Sequence, residues 1–270
     1  MKKTFYLLVC LCIFTGVIAQ EAADKKVQAG IMLGAGMNFQ KMGTKNIDKN
    51  GIGADLTIGA NVNFAFNENI GLSTGAEFDF NSIKYKSATE SPLYYNYNDT
   101  EIRKQEDVTS GDALFQVDER KQSQIYLTIP TMLIFRTKFI GYFRYFGKFG
   151  LRNSFLLSSK SADTGFDYET GNLLDGGVQA TNKNMKSPGD VFFFKTAVGI
   201  AGGAEWNFTG STSLMAEIGF YYGVTPLHFT TNEENMTLFT SGVNNGSGND
   251  IYIANKATQS QLMFKVAILF

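Results

Sequence analysis

The sequence predicts an all-β fold, an eight-stranded antiparallel up-and-down transmembrane β-barrel with long extracellular loops and short periplasmic turns. Three observations carry that reading. Apolar residues recur with period two over stretches of up to fifteen residues (52–66), well beyond the roughly 5–6 residues of a soluble strand. After the N-terminal leader, no segment offers the roughly 18 consecutive apolar residues that a membrane-spanning helix needs. Short polar connections alternate with long ones, as the two ends of an up-and-down barrel require.

The leader comes first. Lys2 and Lys3 form a basic start, Phe5 to Ile18 an apolar run, and Val17 and Ala19 a small-residue cleavage site. Residues 1–19 therefore read as a cleaved signal peptide and 20–270 as one outer-membrane β-barrel domain. Cys10 and Cys12 both fall in the leader, which removes disulfides, thiol catalysis and Cys-based zinc sites from the processed chain. Val9 and Leu11 precede them, not the small residue a lipidation signal uses. A net charge of −1 leaves no basic excess for nucleic acid.

The strands follow in order. Residues 27–39 set Ile31, Leu33 and Phe39 against Gln28, Gly34 and Asn38. Residues 52–66 set Leu56, Ile58 and Phe64 against Asp55, Thr57 and Asn61, and 70–80 set Leu72, Phe78 and Phe80 against Ser73, Glu77 and Asp79. The pattern returns at 125–135, 143–157, 192–208, 214–224 and 262–270, which makes eight strands. Short turns at 67–69, 136–140 and 209–213 are assigned to the periplasm. Long polar segments at 40–51, 86–122, 158–190 and 225–256 are assigned to solvated extracellular loops. The chain is thus expected in the outer membrane of a Gram-negative bacterium, crossing it many times. A soluble β-sandwich or lipocalin-like barrel is the competing reading. The Gly-rich opposite face argues against it, as do Phe64, Phe66, Phe135, Phe143, Tyr145, Trp206 and Phe208 near strand ends, which suit an interfacial girdle.

With the apolar face toward lipid, the other face lines the lumen. It carries Asp55, Glu77, Asp79, Glu205 and Glu217 against Arg144, Lys148, Arg152, Lys195 and Lys265, five acids and five bases. Eight strands enclose little more than side chains, so these ten are expected to pair into a structural polar network. Pro130 lies on the same face, where its missing N–H suggests a bulge or local bend. Little else promises chemistry. His228 is the one histidine, with no Ser within ten residues, and reads as a solvated loop side chain. The 86–122 segment has many carboxylates, but no spacing of a calcium loop. Its Leu93–Tyr97 cluster suits a solvated loop, or a protein or glycan contact. NNGSGND at 244–250 is turn chemistry. No catalytic, cofactor-binding or metal-ligating residue is assigned.

QIYLTIPTMLIFRT at 124–137, FGKFGLRNSFLL at 146–157 and the terminal Phe270 after alternating apolar residues resemble the PorT-like outer-membrane β-barrel family of Bacteroidota. The resemblance implies the barrel fold and outer-membrane localisation. Its namesake is implicated in type IX secretion, most members have no assigned role, and only the fold is carried over to this chain. Phe270 is expected to be the C-terminal signal read by barrel-insertion machinery. The expected function is non-enzymatic: a structural or interaction role with loops at the cell surface, or an accessory part in a secretion or assembly complex. A narrow conduit for small or apolar solutes is the alternative, and a lipid-modifying enzyme using His228 the remote one. Expected partners are outer-membrane lipid, the insertion machinery, and a protein partner at the extracellular loops or periplasmic side.

Overall fold

The computed structural model describes residues 26–89, 91–104, 107–169, 173–187, 190–209, 211–228, 239–240, 252–253, 255 and 257–270. The leader, with Lys2, Lys3, Cys10 and Cys12, lies outside the described residues, as does the 244–250 segment. In chain order the strands are β1 (Val27–Met42), β2 (Ile47–Lys49), β3 (Gly53–Ala65), β4 (Ile70–Ser87), β5 (Leu93–Asn98), β6 (Glu101–Ile102) and β7 (Ala113–Arg136). There follow β8 (Phe143–Tyr168), β9 (Val178–Met185), β10 (Phe194–Asn207), β11 (Ser213–Gly223), β12 (Phe239–Thr240), β13 (Tyr252–Ile253) and β14 (Ala257–Leu269).

Eight of these close a ring. Its order is β1–β3–β4–β7–β8–β10–β11–β14 and back to β1, antiparallel throughout. Closure satisfies every strand edge within the ring, the one way a sheet can cross a bilayer. The connections 66–69, 137–142 and 208–212 and both ends of the described chain gather at one end, the short-turn end. The wall is apolar outside: Ile31, Leu33, Leu56, Ile58, Phe78, Leu133, Phe149, Ile200, Ile218 and Phe264 are all exposed. Inside, residues of the opposite parity are buried and mostly polar. Such a belt belongs in hydrocarbon, where it needs no partner. Phe64, Phe66, Phe135, Phe143, Tyr145, Trp206 and Phe208 are exposed at the short-turn end, with Phe143 stacked on Trp206 at 6.0 Å.

At the other end the wall continues beyond the belt. β7 has 24 residues and β8 has 26, against 11 in β11. Here the outward face changes character at one height. Phe80 gives way to Ser82 and Lys84 on β4, while Ile125 gives way to Ser123 and Lys121 on β7, and the two strands are in register there. The interior inverts as well. Ile47, Ile83, Tyr85, Leu93, Tyr95, Phe115, Leu227 and Ala257 form a buried apolar core. β2, β5, β6, β9, β12 and β13 pair on this extension and complete a cap.

The structure corrects four expectations, three of them in the cap. The segments 40–51, 86–122 and 158–190 are not solvated loops where described, because their inward residues supply the cap core or the walls around it. Leu93–Tyr97 lies in strand β5, with Leu93 and Tyr95 buried, and is not a solvated cluster. His228 is 0% exposed, not solvated. The bulge expected at Pro130 is absent. Pro130 keeps register with Arg152, and the register shifts fall at Val117/Glu119 and Ile125/Tyr126. On the β4 side the ladder passes from Thr131 to Thr128 in unchanged register. A missing N–H deletes a bond there without inserting a residue.

Candidate functional site

The lumen fills in tiers. At the short-turn mouth, Arg144 Nε donates to Glu205 Oε2 at 2.7 Å and its Nη2 to Gln28 Oε1 at 2.9 Å. Above lies an apolar layer of Met32, Ile134, Phe146, Met215, Ala267 and Leu269. Next, Lys148 Nζ meets Glu217 Oε2 at 2.6 Å. At the centre stands Arg152, 1% exposed, whose Nη2 donates to Glu77 Oε2 at 2.5 Å and to both Asp79 oxygens at 2.9 Å. Its Nη1 donates to Gln261 Oε1 at 3.1 Å, and Lys265 Nζ donates to Glu77 Oε1 at 2.9 Å. Thr57 and Thr128 donate their hydroxyls to Asp79.

The last tier joins Asp55 to Lys195. Gln261 donates to Asp55, and Lys195 Nζ donates to Gln259 Oε1 at 2.9 Å and sits 4.1 Å from the Tyr126 ring centre. In the amide orientation that satisfies its neighbours, Asn81 donates to Asp55 Oδ2 at 3.0 Å and accepts from Lys195 Nζ at 3.3 Å. All ten charges named from the sequence are therefore buried inside the ring with polar partners. Small residues make the room. Tyr221 lies across Gly199, where a Cβ would meet its ring at 2.2 Å, and Arg152 stacks on that ring at 4.9 Å. Opposed charges in contact are what a closed eight-stranded lumen tolerates. Among the described residues, the polar atoms there left without a hydrogen-bond partner include Arg152 Nε, Asp55 Oδ1, and Nε and Nη2 of a further buried base, Arg136. Phe270 is exposed on the outward face, its N–H donating to Ala29 O at 2.8 Å.

Above the lumen a second polar cluster underlies the cap core. Arg120 makes a two-pronged bond to Asp163, both contacts 2.7 Å, with its guanidinium 4.6 Å from the Phe239 ring centre. His228 Nε2 lies 3.0 Å from Gln122 Oε1, 3.3 Å from Asn255 Nδ2 and 4.0 Å from Asp190 Oδ2. Burial lowers the His228 pKa below its ordinary 6.5, and Asp190 offsets part of that. Thr230, Thr231, Glu233 and Glu234 lie outside the described residues. Sequence reasoning missed Arg120, Gln122 and Gln124, although they share the parity of Tyr126 and Thr128 on the same strand. Among the described residues, no three His, Cys, Asp or Glu side chains gather as a metal site.

A closed ring with an apolar belt and an ionic lumen is the architecture of an outer-membrane barrel. Residues 18–228 match the family model described as outer membrane protein beta-barrel domain. The chain belongs to that family. It is an outer-membrane protein of a Gram-negative bacterium. Among solved structures the family member is similar to Ail, the attachment invasion locus protein of Yersinia pestis. The two share 12% identity over 91% of this chain and 100% of that one, with a TM-score of 0.34. It is also similar to the outer membrane protein OprG of Pseudomonas aeruginosa, at 9% identity over 93% and 96% of the two chains and a TM-score of 0.44. The outer membrane protease OmpT of Escherichia coli is similar at 8% identity over 94% and 99%, with a TM-score of 0.37. No curated protein matches the chain.

Proposed function

We propose that the protein is a sealed, non-enzymatic outer-membrane barrel with a structural or interaction role, its capped end at the cell surface. One observation carries the reading: Arg152 and its carboxylates occupy the middle of the lumen while an apolar core closes the end above. A solute would have to break that network, so the filled lumen weighs against a conduit. His228 is fully buried among Gln122, Asn255, Asp190 and Tyr85, without access for a lipid substrate. That supports the non-enzymatic reading. The cap then provides the contact surface of a stand-alone binder or of an accessory subunit in a secretion or assembly complex. Phe270 on the outward face suits a signal for barrel insertion.

Purified protein in planar bilayers is expected to give no conductance steps, and reproducible unitary steps would overturn the sealed reading. Orientation is tested separately. Val178→Cys, at an exposed site on β9, should react with an impermeant maleimide on intact cells. Pull-down from native membranes in mild detergent distinguishes an accessory subunit, with stoichiometric partners, from a lone barrel.

A further inference from the structure

The outward wall just beyond the belt carries a row of lysines. Lys84 on β4 lies directly opposite Lys121 on β7, and Lys160 on β8 faces Ser123, one outward position nearer the belt. All three are exposed, and like charges directly opposed on a sheet repel unless an anion lies between them. Lys186, exposed as well, follows the end of β9.

The shape of the wall points the same way. β8 changes neighbour here, pairing with β10 up to Phe155 and with β9 from Ser161. Between β8 and the chain that follows β9 is a hollow of about 320 Å³. Leu156 and Leu157 line it together with Ser158, Lys160, Lys186 and Ser187. A second hollow of about 450 Å³ on the same side of the molecule is lined by Lys84 and Lys121, with Glu119 as its carboxylate. Four lysines thus line the two hollows at the upper edge of the belt, with Glu119 in the second and Glu101 joined to Lys186 by a backbone bridge beside the first. Lys160 sits two residues past the level of Ile125, roughly 7 Å along the strand, which is headgroup height.

We propose that the first hollow binds a phosphate-bearing glycolipid of the outer leaflet. The acyl chains lie along Leu157 and Phe155, and Lys160 and Lys186 hold the phosphate with the Ser158 and Ser187 hydroxyls. Lys84 and Lys121 hold a second phosphate or strengthen the field at the first. Soluble phosphate shares the charge but has no chains for the leucines to cover. The site takes the orientation proposed above and is independent of whether the lumen conducts.

The test uses the full mature chain in detergent micelles, with bis-phosphorylated lipid A, dephosphorylated lipid A and inorganic phosphate as probes, read by native mass spectrometry. Wild type should retain the phosphorylated lipid in preference to the dephosphorylated one. The double variant Lys160→Gln/Lys186→Gln should lose about tenfold or more of that retention, and Lys138→Gln at the short-turn end none. Lys84→Gln/Lys121→Gln should lose less. Unchanged heat-modifiable migration on gels reports that each variant is folded. Equal binding of both lipids, full retention by the first double variant, or displacement by equimolar inorganic phosphate would each overturn the proposal. Micelle binding is read whichever way the barrel faces. A failed Val178→Cys label would therefore overturn the orientation and with it the outer-leaflet source of the lipid, while lost lipid retention would overturn the site and leave the orientation standing.

Discussion

Within the belt, β4 turns Phe78 and Phe80 outward and Glu77 and Asp79 inward. A few residues on, in the cap, it turns Lys84 and Lys86 outward and Ile83 and Tyr85 inward. The parity of the strand never changes, while the residue types on its two faces trade places. Backbone geometry sets the period, and the medium outside sets which face is apolar. The belt and the cap are therefore one wall built for two solvents. Each has the core that its surroundings demand, ionic in the first and apolar in the second.

Three substitutions would break or sharpen that comparison. The largest effect belongs to Arg152→Ala, which leaves Glu77 and Asp79 buried without their shared cation. It should cost about 3–5 kcal/mol in urea unfolding from liposomes, whereas an apolar-cored lumen would barely respond. Ile58→Arg follows, at about 2–4 kcal/mol on the lipid face. Lys84→Leu, equally outward but in the cap, should change stability by no more than about 0.5 kcal/mol, and similar costs at the two sites would erase the boundary.

The smallest effect is a pH dependence confined to the cap. The His228 pKa is depressed in the fold, so its neutral form is the folded one. Stability is full above its ordinary 6.5 and falls as pH drops from there toward the folded value. Hydrogen-exchange protection around β12 and the start of β14, corrected for intrinsic exchange, should hold above about pH 6.5 and fall as pH drops below it. The change should disappear in His228→Gln, while belt strands stay protected throughout.

Much of the belt is legible from the chain because lipid outside and a narrow lumen inside enforce strict alternation. The ten lumen charges stand out because each breaks an otherwise small or neutral face. The cap is harder to read. At Asp118, Glu119, Arg120 and Lys121 four charges run together, and the shift at Val117/Glu119 changes parity within the run, so a strand reads as a loop. Only Arg120 of the four is buried, and its distant partner Asp163 identifies it only after folding. Tyr95 and His228 fail for a related reason. Each is buried by chain far away in sequence, which no local pattern records.

The filled lumen also imposes an order in time. The cap core draws Ile47 from near the start of the barrel and Ala257 from its last strand, with Leu227 and Phe239 from the segment between. If the capped end faces outward, that segment must be carried across the membrane before the core can form. A lumen already locked around Arg152 leaves no room for it. Translocation of the last long segment must therefore precede closure of β14 on β1, and the ion network is among the final things to set.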